Sequence, residues 1–177
     1  MKKQKSIGNK GFSLVELIIV IAIMAILVGV MAPQLMKYVE KTNVSNDVQV
    51  ADSVRTAIKT AMLDPSVISE AASQTQLDGF TGSVKLDDLA AATAFEKAVW
   101  ETLTGSSADG YTAVKGNLKS KGASTGDIYF SITGNDVTVW ITNTNKEGSG
   151  KTDGTGTSAT TWIVVPTNAT PGSVPTT

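Results

Sequence analysis

The sequence predicts an α+β protein: a long, protruding N-terminal helix packed against a small head built on an antiparallel β-sheet. Three observations carry that prediction. Residues Phe12 to Ala32 are apolar apart from Ser13 and Glu16. A stripe of Val44, Val48, Ala51, Val54, Ile58 and Ala61 then follows at the spacing of an amphipathic helix. Near the C-terminus the period changes to two, in "DIYFSIT" (Asp127 to Thr133) and "VTVWIT" (Val137 to Thr142).

The elements follow in chain order. The apolar run approaches the roughly 20 residues a helix needs to cross a bilayer. Lys2, Lys3, Lys5 and Lys10 precede it with no acid among them, which predicts a cytoplasmic N-terminus and a head on the far side. Pro33 should kink the helix rather than end it, because the stripe resumes beyond. Lys37, Glu40, Lys41, Asp47, Asp52, Arg55 and Lys59 lie mostly off that stripe. Asp64-Pro65 is the expected stop. A helix from Phe12 to Leu63 would measure on the order of 75–80 Å, more than a head of this size can contain, so its first half protrudes. A short helix is expected around Val67 to Ala72 and a second long one over Leu86 to Leu103. Asp87 would sit at the start of the latter and Gly105 at its C-terminal cap. Ala108 to Thr125 reads as loop with a short strand at Tyr111 to Val114.

The two period-two segments form a hairpin across Gly134-Asn135-Asp136. Ile128, Phe130 and Ile132 share one face of it, as do Val137, Val139 and Ile141. Asn143 to Ala159 is a surface loop, "TTWIVVP" (Thr160 to Pro166) a third strand, and the remainder a tail. The divisions expected are therefore residues 1–11, a helix over 12–64 that turns from apolar to amphipathic after 33, and a head over 65–177.

Composition narrows the function. The chain has 177 residues, no cysteine and no histidine, and a net charge of −1. Disulfides, thiolate chemistry and imidazole catalysis are excluded, and no constellation suggests an enzyme, a cofactor or a metal site. "EGSGKTDG" (Glu147 to Gly154) imitates a phosphate loop, but Asn145 stands where the pattern needs glycine and no helix follows. The acids sit in turns without EF-hand spacing, so a calcium site among the loops is the minor alternative. Lys115, Lys119 and Lys121 read as a solvated loop, with a nucleic-acid patch as the alternative. Trp100, Trp140 and Trp162 read as core or head-to-head contacts.

One short stretch is more specific. "KGFSLVELIIVIAI" begins at Lys10 and joins a basic segment ending in glycine to phenylalanine, a glutamate four positions on, and a long apolar helix. It resembles the class III leader junction of type IV pilins and pseudopilins, over about Lys10 to Lys37. The resemblance implies cleavage between Gly11 and Phe12 by a prepilin peptidase, N-methylation of Phe12 by the same enzyme, and use of Phe12 and Glu16 in assembly. It implies a structural subunit: a single-pass prepilin in the cytoplasmic membrane, later a polymer of its own copies on the cell surface. A platform protein and a motor ATPase would drive that assembly. Pro33 falls where family members place a kink. Family members often have glycine where this chain has Ala25, and here Gly29 takes over the loosening of the helix. The absence of cysteine departs from the many Gram-negative pilins with a disulfide-stapled C-terminal loop, and leans towards a Gram-positive source.

Glu16 is the informative residue, since an unpaired carboxylate in hydrocarbon costs several kcal/mol. Cleavage at Gly11 creates an amine on Phe12, and a neighbouring subunit's Glu16 could pair with it and set axial register. Snorkelling of Glu16 to the headgroups is the plainer alternative. A major pilin is the first reading. A minor pilin or a pseudopilin of a type II secretion or DNA-uptake machine comes second, and a non-polymerising membrane-anchored binding module third. An ordinary signal peptide explains neither the length of the run nor its continuation as helix.

Overall fold

A computed structural model describes residues 13–142 and 161–166, with side chains at 161 and 162 excepted. The leader, Gly11, Phe12, the loop over 143–159, the tail and the Trp162 side chain lie outside the described residues. The chain divides into two compact units, Met1–Val39 and Glu40–Thr177. Helix α1 (Leu14–Met62) contributes residues to both.

In the second unit, α1 is followed by α2 (Pro65–Ser69), α3 (Ala71–Gly79), β1 (Val84–Lys85), a 3-10 turn (Leu86–Asp88), α4 (Ala94–Thr104), α5 (Tyr111–Lys115), β2 (Ile128–Thr133), β3 (Asp136–Thr142) and β4 (Thr161–Val165). The four strands form one antiparallel sheet in the order β1-β2-β3-β4. An α+β fold with a long N-terminal helix is thus present. Ala51, Val54, Ile58 and Ala61 are buried in one core with Phe95, Val99 and Trp100 of α4 and with the inner face of the sheet. On that face Ile128, Phe130 and Ile132 pair with Ile141, Val139 and Val137, as the alternation requires.

Four expectations need correction. The sheet has four strands rather than three, because two residues, Val84 and Lys85, pair with Phe130 and Tyr129. The short helix after Pro65 is two helices, broken at Glu70, whose backbone is extended. Tyr111 to Val114 is helical: Asp109 Oδ1 accepts the Tyr111 N–H at 2.9 Å and starts the turn. The helix expected over Leu86 to Leu103 begins only at Ala94. Ala91 has a φ of +57°, which no continuing helix permits.

The true start of α4 is a capping box. Thr93 Oγ1 accepts from the Glu96 N–H at 3.3 Å, and Glu96 Oε2 accepts from the Thr93 N–H at 3.2 Å. Glu70 adds a bond from the Ala94 N–H at 2.6 Å, and Ser73 Oγ one from Phe95 at 3.0 Å. Four backbone donors at a helix start need partners, and side chains supply them here instead of Asp87. Gly105 closes the helix at φ +75°, as expected.

A charged cluster ties α5 to the sheet. Asp127 accepts from Lys115 Nζ and from Tyr111 OH, both at 2.7 Å, and Lys85 approaches its other oxygen at 3.5 Å. Burial pushes the Asp127 carboxyl up, but the bonds from Lys115 and Tyr111 pull harder and hold it below the usual range. The bond to Asp87 outweighs burial and holds Lys85 above its usual range, while burial, and then Asp127, raises Tyr111. A lowered carboxyl stabilises the fold above the unfolded aspartate pKa and ceases to do so as pH falls through the folded value. The raised amine and phenol stabilise it below their unfolded values and stop as pH rises. We therefore expect head stability to be flat from about pH 5 to pH 9, and to fall below about pH 4 and above about pH 10. Urea midpoints across pH check this, and Asp127→Asn should flatten the acid limb.

Candidate functional site

The first unit holds the residues singled out by the sequence. Every residue from Ser13 to Val39 is exposed except Ala32, which is half-buried. Leu14 is 74% exposed and Ile26 68%. Among the described residues, α1 is the helix long and apolar enough to cross a membrane, and none of its most apolar stretch is buried. Burying such a stripe removes roughly 1.5–3 kcal/mol of unfavourable hydration per large side chain, so the segment requires lipid or other protein around it.

Glu16 stands in the first turn of α1, and its Oε2 accepts the Ser13 N–H at 2.9 Å. "SLVE" (Ser13 to Glu16) matches the capping-box spacing, a signal that sequence reasoning passed over. The helix start explains locally why an acid is tolerated there, since a negative charge is favoured at a helix N-terminus. A carboxylate offers about four acceptor positions on two oxygens, so this bond is compatible with a second donor.

Gly29 and Pro33 are related by helix geometry. Proline lacks the N–H that would bond to the carbonyl four residues back, and its ring crowds that carbonyl. For Pro33 that residue is Gly29. Both lie within α1, which is continuous through them, and a Cβ on Gly29 would meet nothing within 4 Å. The glycine is therefore not demanded by packing within this chain.

In the head, the structure separates the three lysines that the sequence grouped. Lys115 is bound to Asp127. Lys119 and Lys121 sit on a loop whose backbone is held by α1. Asp47 accepts from the N–H groups of Lys119 and Ser120 at 2.7 and 2.9 Å, Glu40 from that of Lys121 at 2.9 Å, and Asn46 Nδ2 donates to Asn117 O at 3.0 Å. Asp47 is fully buried, contrary to its expected place off the packed stripe. Trp100 and Trp140 are fully buried core residues. Among the described residues no three acidic side chains gather where they could hold a metal ion.

Gathered in the first unit are an acid in the first turn of α1 and an uncovered apolar helix. The family described as "Prokaryotic N-terminal methylation motif" matches residues 8–32, and the relatives that resemble the chain are fimbrial proteins. The chain is 41% identical over 83 residues to a "Fimbrial protein" of Pseudomonas aeruginosa, covering 45% of this chain and 54% of that one. It is 39% identical over 79 residues to the "Type IV major fimbrial protein FimA" of Dichelobacter nodosus, covering 45% and 47%. A "Fimbrial protein" of Moraxella nonliquefaciens is 43% identical over 53 residues, covering 30% and 34%. The chain thus spans about half the length, or less, of the curated relatives it matches. No solved structure matches the chain significantly.

Proposed function

We propose that this chain is the structural subunit of a type IV pilus surface filament. The observation that carries the proposal is the uncovered apolar segment of α1 from Leu14 to Met31, which lies within the matched methylation motif. Leader removal between Gly11 and Phe12 and N-methylation of Phe12 leave a positively charged amine. Before assembly the apolar segment lies in the bilayer, with the leader lysines on the cytoplasmic side and the head outside. Afterwards it lies among the same segments of other copies. Glu16 of one copy pairs with the Phe12 amine of another and fixes axial register, as a buried polar residue does in a coiled coil. Heterologous contacts related by a screw axis give an open-ended fibre. Pro33 and Gly29 provide the place where the helix bends. The peptidase, platform protein and motor ATPase are separate proteins.

Mass spectrometry of the mature N-terminus tests the first step. The expected species begins at Phe12 and carries one added methyl group. A chain starting at Met1, or at Pro33 after signal-peptidase cleavage, would overturn the proposal. The names of the Dichelobacter relatives support a major subunit over a minor pilin or pseudopilin, and high abundance in purified filaments is the corresponding measurement.

A further inference from the structure

The cations of the head fall into two groups. Arg55, Lys59, Lys85 and Lys115 form ion pairs with Asp136, Asp87 or Asp127. Four more are exposed and take part in no ion pair among the described residues: Lys97 on α4, and the trio Lys41, Lys119 and Lys121. These three are brought to one place by the hydrogen bonds that seat the loop over 117–121 on α1. Lys121 is anchored on Glu40, the neighbour of Lys41, and Lys119 on Asp47. The two acids of this region are thus engaged with backbone N–H groups: Asp47 is fully buried and Glu40 half-buried.

The position of this patch in the chain matters. Eight residues separate Glu40 from Ala32, the end of the apolar run. As helix that is about 12 Å, and even fully extended it is under about 30 Å. Three ammonium groups are therefore tethered close to the membrane surface from which the chain emerges. A tether of that length permits approach to within the screening length of about 8–10 Å at physiological salt, where headgroup charge is felt.

We propose that Lys41, Lys119 and Lys121 form a docking surface for anionic phospholipid headgroups, which holds the head against the membrane before the subunit is incorporated. The proposal rests on the reading of α1 as a membrane segment. A lysine near an anionic surface shifts the docked-to-undocked ratio by about fivefold. Removing two such charges should lower it by roughly 30-fold, and a rise in salt should act in the same direction.

The chain has no cysteine, so Ser124→Cys gives a single labelling point beside the loop. The full chain with a fluorophore at this position is reconstituted into vesicles of phosphatidylcholine alone, or with an equal amount of phosphatidylglycerol, each doped with a headgroup-linked quencher. Strong quenching is expected in the phosphatidylglycerol vesicles only, with loss of it in Lys119→Gln/Lys121→Gln and at high salt. Equal quenching in both vesicle types, with the protein floating with both, overturns the docking surface and leaves the membrane reading intact. Failure to float with either overturns both. If duplex DNA abolishes the quenching at matched ionic strength and is retained by phosphatidylcholine vesicles bearing the protein, the patch is a nucleic-acid surface and the lipid proposal falls. The salt titration on the otherwise unchanged chain keeps the test valid should the double variant misfold.

Discussion

Glu16→Ala is expected to abolish surface filaments while the protein still accumulates in the membrane fraction. The argument starts from the environment. Residues 14–32 are apolar except for Glu16, and the segment must be covered by lipid or by other protein. Truncating one member of a desolvated, hydrogen-bonded charge pair costs about 2–5 kcal/mol. At roughly 1.4 kcal/mol per factor of ten, each addition of a subunit then weakens about 30-fold or more. Removing the acid also makes the helix easier to leave in the bilayer, so both effects favour the unassembled subunit. Electron microscopy of sheared filaments, with immunoblots of membranes, reads the two quantities separately. Unchanged display by Glu16→Ala would instead identify a membrane-anchored module that does not polymerise. Glu16→Gln discriminates further: it keeps an acceptor for the Ser13 N–H but not the charge, so it should fail as alanine does if the pairing with an amine is what matters.

Gly126→Ala should unfold the head or come close to it. A Cβ at this position would lie 1.7 Å from Thr142 O and 2.7 Å from Thr142 C, and both atoms are backbone. Relief requires separating Asp127 from Thr142. That breaks the bond from the Thr142 N–H to Asp127 O at 3.0 Å and the bond from the Asp127 N–H to Thr142 Oγ1 at 2.9 Å. Overpacking alone costs about 1–3 kcal/mol, and each buried donor left unpaired about 1–3 more. The sum rivals the total stability of a small domain. Gly105→Ala serves as the comparison: its φ is +75°, but nothing lies within 4 Å of the added methyl, so the loss should be about 1 kcal/mol. Urea denaturation of the detergent-solubilised chain measures both. A Gly126→Ala variant within about 1 kcal/mol of the parent would show that the close approach does not exist.

The parts legible in the sequence were those with local causes. The apolar run, the stripe from Val44 to Ala61 and the β2–β3 hairpin each follow from spacing within one segment. The start of α4 was misplaced because Leu89, Ala92, Phe95, Val99 and Leu103 keep helical spacing across Ala91, where the backbone turns left-handed. "TAFE" (Thr93 to Glu96) carried the correct start as a capping box. Strand β1 is two residues long, too short for any periodicity. Asp47 was illegible for a different reason. Its helical position lies on the stripe, three residues after Val44 and four before Ala51, but its charge assigned it to solvent; what satisfies it is a loop 72 residues away, at Lys119 and Ser120. Glu16 was read for its charge, while its local role with Ser13 was missed.

The brevity of β1 has a consequence for the proposed packing of the protein among its own copies. An open strand edge offers unpaired backbone groups to any neighbouring strand, and crowding makes such templating a hazard. On the β1 side this sheet offers little of one. Val84 and Lys85 cover Phe130 and Tyr129, and Phe80 O takes the Ile132 N–H at 2.8 Å. Most of the outer edge of β2 is thereby occupied by the chain itself, and the covering strand carries a lysine. In the proposed filament, contacts between copies are then left to helices and side chains, where geometry can be selected. Association by strand addition, which would yield tangled aggregates, is discouraged along this edge.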